Sequence, residues 1–449
     1  MHVAIVGGGM TGMSAADELS QRGIACTILE QDEALGGLAG SFKVNGAYLE
    51  KFYHHLFTSD VAAAALIERL GLGGKLEWLP TSNSFYAGRM YRLSTPLDLL
   101  RFSHVRFLDR IRLGLLYLGT RFIGDWQALE ETTAREWLIK RAGQGVYEGV
   151  WQPMLRNKFG PYADQIAAVW IWNKLKLRGS SRGKTQEERL GYLRDGFAQA
   201  IDAWERQLRA QGVEIALRTP VERIPIENGV AMGVVAGGQF RTCDRVLVTT
   251  APEILNQIAP GLPPDYRARL AQIQYLANVC LVVSLDRSLS DTYWLNIGDP
   301  TIPFTGLIEH TNMQRPERYG GAHLAYLSRY LAPEDPHYRM SAEELLAAYM
   351  PHLIKMFKGF HPSWVKGQWA WRARYAQPVI GLRYSRIRPP FQTPIANLWL
   401  SCMAQVYPQD RGMNYAIVFG KRVVEEMMQE TGSGRHDQHP SFGPTAPAR

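Results

Sequence analysis

The amino-terminal segment contains the pattern that most narrows the folds open to this chain. A short apolar run rich in β-branched side chains comes first, and glycines follow at once as Gly7-x-Gly9-x-x-Gly12. A helix is predicted to begin inside these glycines, and a second apolar run, residues 24–29, ends on Glu30. This order of strand, glycine turn, helix, strand and acid is typical of a dinucleotide-binding unit.

Each residue type in the glycine turn has a chemical reason. Gly7 permits a tight turn, Gly9 lets the backbone approach a pyrophosphate, and Gly12 lets the helix pack closely on the strand. The helix start, at Met10 and Thr11, offers N–H groups and a partial positive charge to phosphates. The acid accepts hydrogen bonds from ribose hydroxyls. Because a chance glycine-rich turn would not bring these parts into register, we predict a dinucleotide site on a parallel sheet.

A glycine pair, Gly36 and Gly37, follows the acid closely, and Leu38 comes next. With the preceding unit, this pair resembles the flavin-containing amine oxidase superfamily, which includes protoporphyrinogen oxidases, phytoene desaturases and UDP-galactopyranose mutases. In that group the pair carries backbone past the pyrophosphate and ribityl chain of FAD, so the resemblance implies FAD as the cofactor. Many members have arginine directly after the pair, and Leu38 at that position removes one phosphate contact.

Two later segments carry the same resemblance. In the superfamily, the residue matching Val221 contacts the adenine through its backbone. Near the carboxyl terminus, an acid precedes a helix whose amino end meets the flavin and the ribityl chain. The positions that match this motif are Asp410, Gly412, Met413 and Asn414. The resemblance therefore implies an α/β fold, with a discontinuous FAD-binding Rossmann-like domain of the GR2 type and an inserted α+β substrate-binding domain.

The FAD elements, in the family's order, imply two domains and a tail. The tail, 432–449, is rich in Gly, Pro, Ser and His and is predicted to be disordered. The two segments between the FAD elements, 76–189 and 271–385, are predicted to build the substrate-binding domain. The FAD-binding domain is predicted to comprise 1–75, 190–270 and 386–431.

Candidate catalytic residues come from two stretches. His54 and His55 stand together in a segment that, in the resembled superfamily, passes near the isoalloxazine ring. Two interpretations stay open: a histidine bonds the flavin or holds a substrate anion, or the pair belongs to a packed loop. Arg372 and Tyr375 lie in a run that alternates aromatic and basic side chains, which predicts either a pocket wall or a half-exposed strand. No residue stands out as an indispensable acid or base.

Aromatic and basic side chains also interleave between residues 151 and 178. This stretch includes Lys158, Trp170, Lys174 and Arg178. In one interpretation the side chains line a cavity for an anionic, partly apolar substrate. In the other, the tryptophans belong to a core that lies beside a solvated basic edge. The residue pattern leaves both interpretations open.

The most basic amphipathic stretch runs from Ser94 to Phe122. The sequence Ser94-Thr95-Pro96 predicts a helix start, because proline is favoured at the first helical position. The apolar side chains at helical spacing are Leu108, Ile111, Leu115, Leu118 and Phe122. A surface helix could rest on a membrane and lead a lipophilic substrate inward. A helix packed on its neighbours in the substrate domain is the interpretation that we favour.

Composition restricts the partners. The net charge of +8 over 449 residues suits an anionic substrate or an anionic membrane surface, and no nucleic-acid-binding signature accompanies it. The four cysteines show no spacing typical of zinc, so we predict no metal and a reducing compartment. The first strand begins at residue 2 and no apolar run reaches the length of a membrane span, so we expect a cytoplasmic protein, with peripheral membrane association as a further prediction.

Three functions are consistent with these features. The first is an FAD-dependent oxidoreductase, either an oxidase or a desaturase, that transfers a hydride from a lipophilic or anionic small molecule to the flavin. The second is a flavin-dependent isomerase or mutase without net redox change, similar to a UDP-sugar mutase. The third is a non-catalytic FAD-binding protein. We favour them in that order.

Overall fold

The computed structural model describes residues 1–180 and 188–432, so the predicted disordered tail lies outside the described residues from position 433 onward. Within that part the strands are β1 (His2–Val6), β2 (Ala25–Leu29), β3 (Ser41–Val44), β4 (Ala47–Glu50), β5 (Leu76–Pro80), β6 (Asn83–Tyr86), β7 (Met90–Arg92), β8 (Arg189–Leu193), β9 (Glu214–Ala216), β10 (Val221–Arg223), β11 (Ile226–Glu227), β12 (Val230–Ala231), β13 (Gly233–Ala236), β14 (Gln239–Thr242), β15 (Arg245–Val248), β16 (Tyr275–Leu285), β17 (Trp294–Ile297), β18 (Gly306–Glu309), β19 (His323–Leu331), β20 (Val365–Pro378) and β21 (Leu398–Leu400). The α-helices are α1 (Met10–Gln21), α2 (Val61–Arg69), α3 (Pro96–Arg101), α4 (Phe107–Gly119), α5 (Ala134–Ala142), α6 (Gln144–Val146), α7 (Gln152–Phe159), α8 (Ala168–Ser180), α9 (Ala198–Ala210), α10 (Pro252–Ile258), α11 (Pro264–Ala271), α12 (Ala342–Met356), α13 (Tyr384–Ile387) and α14 (Met413–Gly432).

A five-stranded parallel sheet contains the amino-terminal strand at its centre. The strand order is β21-β15-β1-β2-β9, and every neighbouring pair is parallel. Ile5 of β1 lies in register between Leu247 and Ile28, and all three side chains are fully buried. Helices cover both faces of such a sheet, which explains why these strands are nearly continuous apolar runs. The strand–helix–strand unit predicted from the glycine turn is confirmed.

A second large sheet has seven strands. Its order is β20-β16-β19-β18-β17-β6-β7, and the pairs are antiparallel apart from β17 and β6. Alternate residues of β16 enter two different cores, because successive side chains of a strand point to opposite faces. Leu281 packs with α12 residues such as Tyr349, whereas Val282 joins the core that includes the parallel sheet. This mixed architecture agrees with the predicted α+β substrate-binding region.

Helices α4 to α8 surround a separate apolar core. The predicted helix start at Thr95 is confirmed, because its hydroxyl accepts the Asp98 N–H in a capping box. The expectation of one helix from there to Phe122 is wrong, since α3 ends at Arg101 and α4 begins at Phe107. The helix is interrupted where the Phe102 side chain enters the core, with its ring edge-on to that of Tyr91 at a centroid distance of 5.1 Å.

The four cysteines are free thiols. Cys26, Cys280 and Cys402 are buried, and Cys243 is half-buried. Burial raises the pKa of the Cys26 thiol to about 12, so it stays protonated and inert at neutral pH. Among residues 1–180 and 188–432, no group of three or more His, Cys, Asp or Glu side chains is arranged to hold a metal ion.

Candidate active site

A cavity of about 1400 Å³ extends from the carboxyl ends of the parallel strands to helix α4. Gly7 and Thr249, which follow β1 and β15, lie at one end, and Leu113 and Tyr117 of α4 lie at the other. Ligands of open α/β sheets bind at this carboxyl edge. We call the end at the strands the cofactor end and the part between α4, α7 and α8 the apolar arm.

The glycine turn at the cofactor end has the shape that a bound pyrophosphate requires. Gly7 has a φ of +106°, and the Thr249 hydroxyl contacts its carbonyl oxygen at 3.0 Å. A Cβ on Gly12 would lie 2.0 Å from the same oxygen, so only glycine allows α1 to pack this closely. A Cβ on Gly9 would meet no atom within 4 Å, because it would point into open space. This open cradle in front of α1 fits the phosphates of FAD.

Glu30 lies at the end of β2 and is only 7% exposed. One carboxylate oxygen accepts the N–H of Gly8 at 2.6 Å, and the other accepts the N–H of Asp32 at 2.9 Å. Each carboxylate oxygen has a second lone pair, so capacity for ribose hydroxyls remains. The residue lines the cavity and holds the glycine turn against the second strand.

The other predicted cofactor residues line the cavity, with the exception of Asn414. Gly36 donates its N–H to the Gly8 carbonyl at 2.9 Å, which sets the glycine pair directly against the turn. Asn414 does not lie in the cavity wall: its side-chain oxygen accepts the N–H groups of Ala62 and Ala63 and caps α2. The predicted residues that line the cavity are Gly7, Gly9, Met10, Thr11, Glu30, Gly36, Gly37, Leu38, Val221, Asp410, Gly412 and Met413.

His54 and His55 line the cavity between its two ends. A ring nitrogen of His54 contacts the Phe52 carbonyl oxygen at 2.6 Å, and one of His55 contacts the Tyr293 hydroxyl at 3.3 Å. Burial lowers the pKa of His54 to about 4 and that of His55 to about 3, and Arg178 adds repulsion at the latter. Both rings are therefore neutral near pH 7, which leaves hydrogen bonding rather than charge as their contribution to the site.

Arg372 and Tyr375 lie on β20, along another wall of the cavity. The Arg372 guanidinium donates to the carbonyl oxygens of Tyr338 and Met340, so its charged end is directed at a loop. The Tyr375 ring is half-buried and lies edge-on to Tyr275 at 5.6 Å. The structure therefore places both candidates in the cavity wall, with no direct contact to either histidine among the described residues.

Four cations and one carboxylate meet in the middle of the cavity. We call this group the cation cluster, and its members are Lys158, Lys174, Arg178, Asp410 and Arg411. The sequence pattern pointed to the first three cations but not to Arg411, nor to their convergence on Asp410. Segments distant in sequence carry these residues, so spacing along the chain holds no signal for their meeting.

The rings of Trp170 and Tyr330 contact cations of the cation cluster. Lys174 donates to Asp410, and both Lys158 and Lys174 lie over the Trp170 ring, 5.2 and 5.7 Å from its centre. Lys158 also lies 4.6 Å from the centre of the Tyr330 ring, and Arg411 donates to the Tyr330 hydroxyl at 2.9 Å. Ring faces attract cations, which partly offsets the loss of water.

Burial and neighbouring charges both shift the pKa values of the cation cluster. Desolvation would raise the pKa of Asp410, but Lys174, Arg411 and Lys158 hold it well below its usual range. Desolvation lowers the pKa of Lys158 well below its ordinary value, and repulsion from Lys174 and Arg411 adds to this effect. The Asp410 carboxylate is thus charged at neutral pH, whereas burial and neighbouring like charges both disfavour the charged form of Lys158.

The apolar arm leads to a helix with an exposed outer face. Leu113 and Leu116 of α4 face the core, whereas Leu108 and Leu115 are 65% and 61% exposed. Phe122, just beyond α4, is 87% exposed. The helix is packed on its neighbours, as the favoured interpretation has it, but through Leu113 and Leu116. The apolar side chains on which that interpretation was based form a second, exposed face. None of the described helices is long and apolar enough to cross a membrane.

Residues 10–428, nearly the whole chain, match the model of the flavin containing amine oxidoreductases. The chain belongs to this family. As a member of the flavin containing amine oxidoreductases it is an FAD-dependent enzyme of the oxidase and desaturase group, which confirms the predicted superfamily, cofactor and fold class. The glycine cradle and Glu30 are the observed features that fit FAD.

Individual members of this family show how far the likeness extends. The coproporphyrinogen III oxidase of Propionibacterium freudenreichii subsp. freudenreichii is 26% identical in an alignment that covers 63% of this chain and 62% of that protein. The 15-cis-phytoene desaturase of Synechococcus elongatus is 22% identical over 97% of this chain and 98% of its own. The crystal structure of reduced UDP-galactopyranose mutase superposes with a TM-score of 0.74 at 14% identity, covering 95% of each chain. The last comparison shows a shared fold.

Proposed function

We propose that this enzyme oxidises an amphiphilic small molecule whose apolar body lies in the apolar arm and whose reacting carbon lies at the cofactor end. The observation that carries the proposal is the continuity of one large cavity from the glycine cradle to α4. FAD supplies the acceptor for two electrons when bound. The protein's own side chains bind and orient the substrate and keep water from the reacting atoms. The relatives named for coproporphyrinogen and phytoene agree with a large substrate.

The strand pairings support the predicted division of the chain into two domains, which we retain as part of the proposal. All five strands of the parallel sheet fall within 1–75, 190–270 and 386–431. The seven-stranded sheet draws its strands from 76–189 and 271–385. The substrate domain would then cover the cofactor and supply most of the apolar arm.

Anaerobic mixing of the FAD-loaded enzyme with candidate amphiphiles tests the proposed reaction. A substrate is expected to bleach the visible flavin absorbance, and an electron acceptor such as oxygen is expected to restore it. A neutral molecule too small to reach from α4 to the cofactor end serves as the control. If no amphiphile of any charge bleaches the flavin, the proposed oxidation is wrong.

A mutase without net redox change is the second candidate, and the cation cluster is the observation that favours it. Lys158, Lys174, Arg178 and Arg411 together suit a diphosphate as well as a carboxylate. The mutase would require prior reduction of the flavin and would consume no acceptor. Conversion of a sugar nucleotide by the reduced enzyme, with no change in the redox state of the sugar, would establish this alternative.

We also propose that the exposed face of α3 and α4 rests on an anionic membrane surface at the entrance to the apolar arm. Its exposed apolar side chains are Leu97, Leu100, Phe107, Leu108, Ile111, Leu115, Leu118 and Phe122. Arginines flank them, including Arg101, Arg106 and Arg121. An apolar face bordered by cations is typical of helices that lie in a membrane interface. A lipophilic substrate would then pass from the bilayer into the arm.

Substitution of Phe122 by aspartate is expected to weaken binding to phosphatidylglycerol vesicles about tenfold, because a large apolar side chain leaves the interface and a negative charge enters it. Co-sedimentation with vesicles measures the bound fraction. The matched control is Phe240→Asp, which places the same charge at a 52% exposed phenylalanine on β14. Equal binding of both variants and the wild type would contradict the proposal.

A further inference from the structure

The cation cluster contains more positive than negative charge. Asp410 is shared by Lys174 and Arg411, whose nitrogen lies 3.7 Å from a carboxylate oxygen. Lys158 has no hydrogen-bond or ion-pair partner among the described residues. Arg178 lies over the Trp294 ring at 5.5 Å and contacts the amide oxygen of Asn83 at 3.4 Å. Within the cluster one carboxylate faces four cations, and a second carboxylate of the cavity wall, Glu188, accepts a hydrogen bond from the Asn83 amide that Arg178 contacts.

An uncompensated cation in such surroundings is costly. Lys158 is half-buried, lines the cavity and lies among the rings of Phe159, Trp170 and Tyr330. Cation–π contacts offset only part of the penalty for removing an ion from water. A second anion delivered into the cluster would remove this imbalance, and the cavity beside Lys158 is open to receive one.

We propose that the cation cluster is an anion subsite, in which Lys158 and Arg178 receive a carboxylate or phosphate group of the substrate while the apolar arm holds its body. This inference rests on the proposed function, since it assigns the substrate class of the same cavity. Such a subsite would favour anionic substrates over the cationic and neutral substrate types named for members of the family. A cationic amine would meet the excess of positive charge, and a neutral hydrocarbon would displace water from Lys158 without pairing it.

The position of the subsite also limits which carbon reacts. Asp410 stands two residues before Gly412, which lines the cofactor end beside Met413 and the start of α14. A group held by the cluster therefore lies at the junction of the cofactor end and the apolar arm. The reacting carbon is expected to be close to the anionic group rather than at the far apolar end of the substrate.

Calorimetric titration of the FAD-loaded protein with decanoate, decyl phosphate and decanol tests the subsite. In the wild type we expect both anions to bind at least about tenfold more tightly than the neutral alcohol, which corresponds to about 1.4 kcal/mol. Lys158→Met is expected to remove this preference and to leave decanol binding unchanged. Lys158→Arg is expected to retain it. The relative affinities of decanoate and decyl phosphate distinguish a carboxylate from a phosphate subsite.

The matched control is Lys176→Met. Lys176 lies on α8 close to Lys174 but is exposed and outside the cavity wall. Unchanged decanoate affinity in Lys158→Met would overturn the inference. A shifted flavin potential in that variant, with unchanged decanoate affinity, would also overturn it and assign the cluster to the flavin's charge. Selective binding of the anions with no flavin bleaching by any amphiphile would instead contradict the proposed oxidation and leave the subsite standing.

Discussion

A protein with valine in place of Gly9 is expected to fold normally and to retain almost no FAD. An added Cβ at this position meets no protein atom within 4 Å, so the free energy of unfolding of the FAD-free protein should change little. The same side chain would occupy the space in which the backbone approaches the pyrophosphate. We expect FAD affinity to fall by about 100-fold, or roughly 2.7 kcal/mol. The ratio of flavin to protein absorbance after gel filtration measures the loss.

The matched control for that experiment is Gly74→Val. Gly74 also has no atom within 4 Å of an added Cβ, and it lies in the loop between α2 and β5 outside the cavity wall. It should retain full flavin content. Full flavin content in the Gly9 variant would show that the glycine turn does not contact the cofactor. Loss of FAD from both variants would indicate a general effect of valine at exposed glycines.

The Asp410→Ala variant is expected to unfold with about 3–5 kcal/mol less free energy than the wild type. Removal of the one carboxylate in the cation cluster leaves Lys174 and Arg411 without their shared partner and Lys158 facing only like charges. Urea denaturation at pH 7 measures the effect. The control is Glu131→Ala, which removes the partner of Arg383 at an exposed ion pair and should cost less than about 1 kcal/mol.

The pH dependence of stability provides a second readout for Asp410. Its folded-state pKa lies below the ordinary value of 3.8, so its contribution is complete above that value and is lost as the pH falls through the folded-state pKa. The alanine variant should therefore lose less stability than the wild type on acidification below about pH 4. Identical acid limbs for the two proteins would show that Asp410 is not held in its charged form by the cluster.

Local sequence signals predicted the elements that local chemistry determines. The glycine turn, the strand of β-branched residues before it and the helix start at Thr95 all depend on residues close together in the chain. The break between Arg101 and Phe107 could not be predicted in this way, because it depends on a core formed with distant strands.

The site was predictable only in part, for the same reason. The FAD turn is a contiguous motif, and its residues line the cofactor end. The cation cluster joins α7, α8 and the segment before α14, and no sequence pattern shows that Lys158 and Asp410 meet. Periodicity also assigns apolar residues to a helix face without showing whether protein covers that face. This is why the exposure of Leu108 and Leu115 could not be predicted, although α4 does pack on its neighbours.

The most direct test of the central claim is the yield of product in an anaerobic single turnover with an anionic amphiphile that bleaches the flavin. Product and visible flavin absorbance would be measured in the same sample with limiting enzyme-bound FAD. We expect one molecule of two-electron-oxidised product for each FAD bleached, and no further product until an acceptor is added. Product that accumulates beyond one equivalent, with the flavin spectrum restored and no acceptor consumed, would rule out the proposed oxidation and establish a reaction without net redox change.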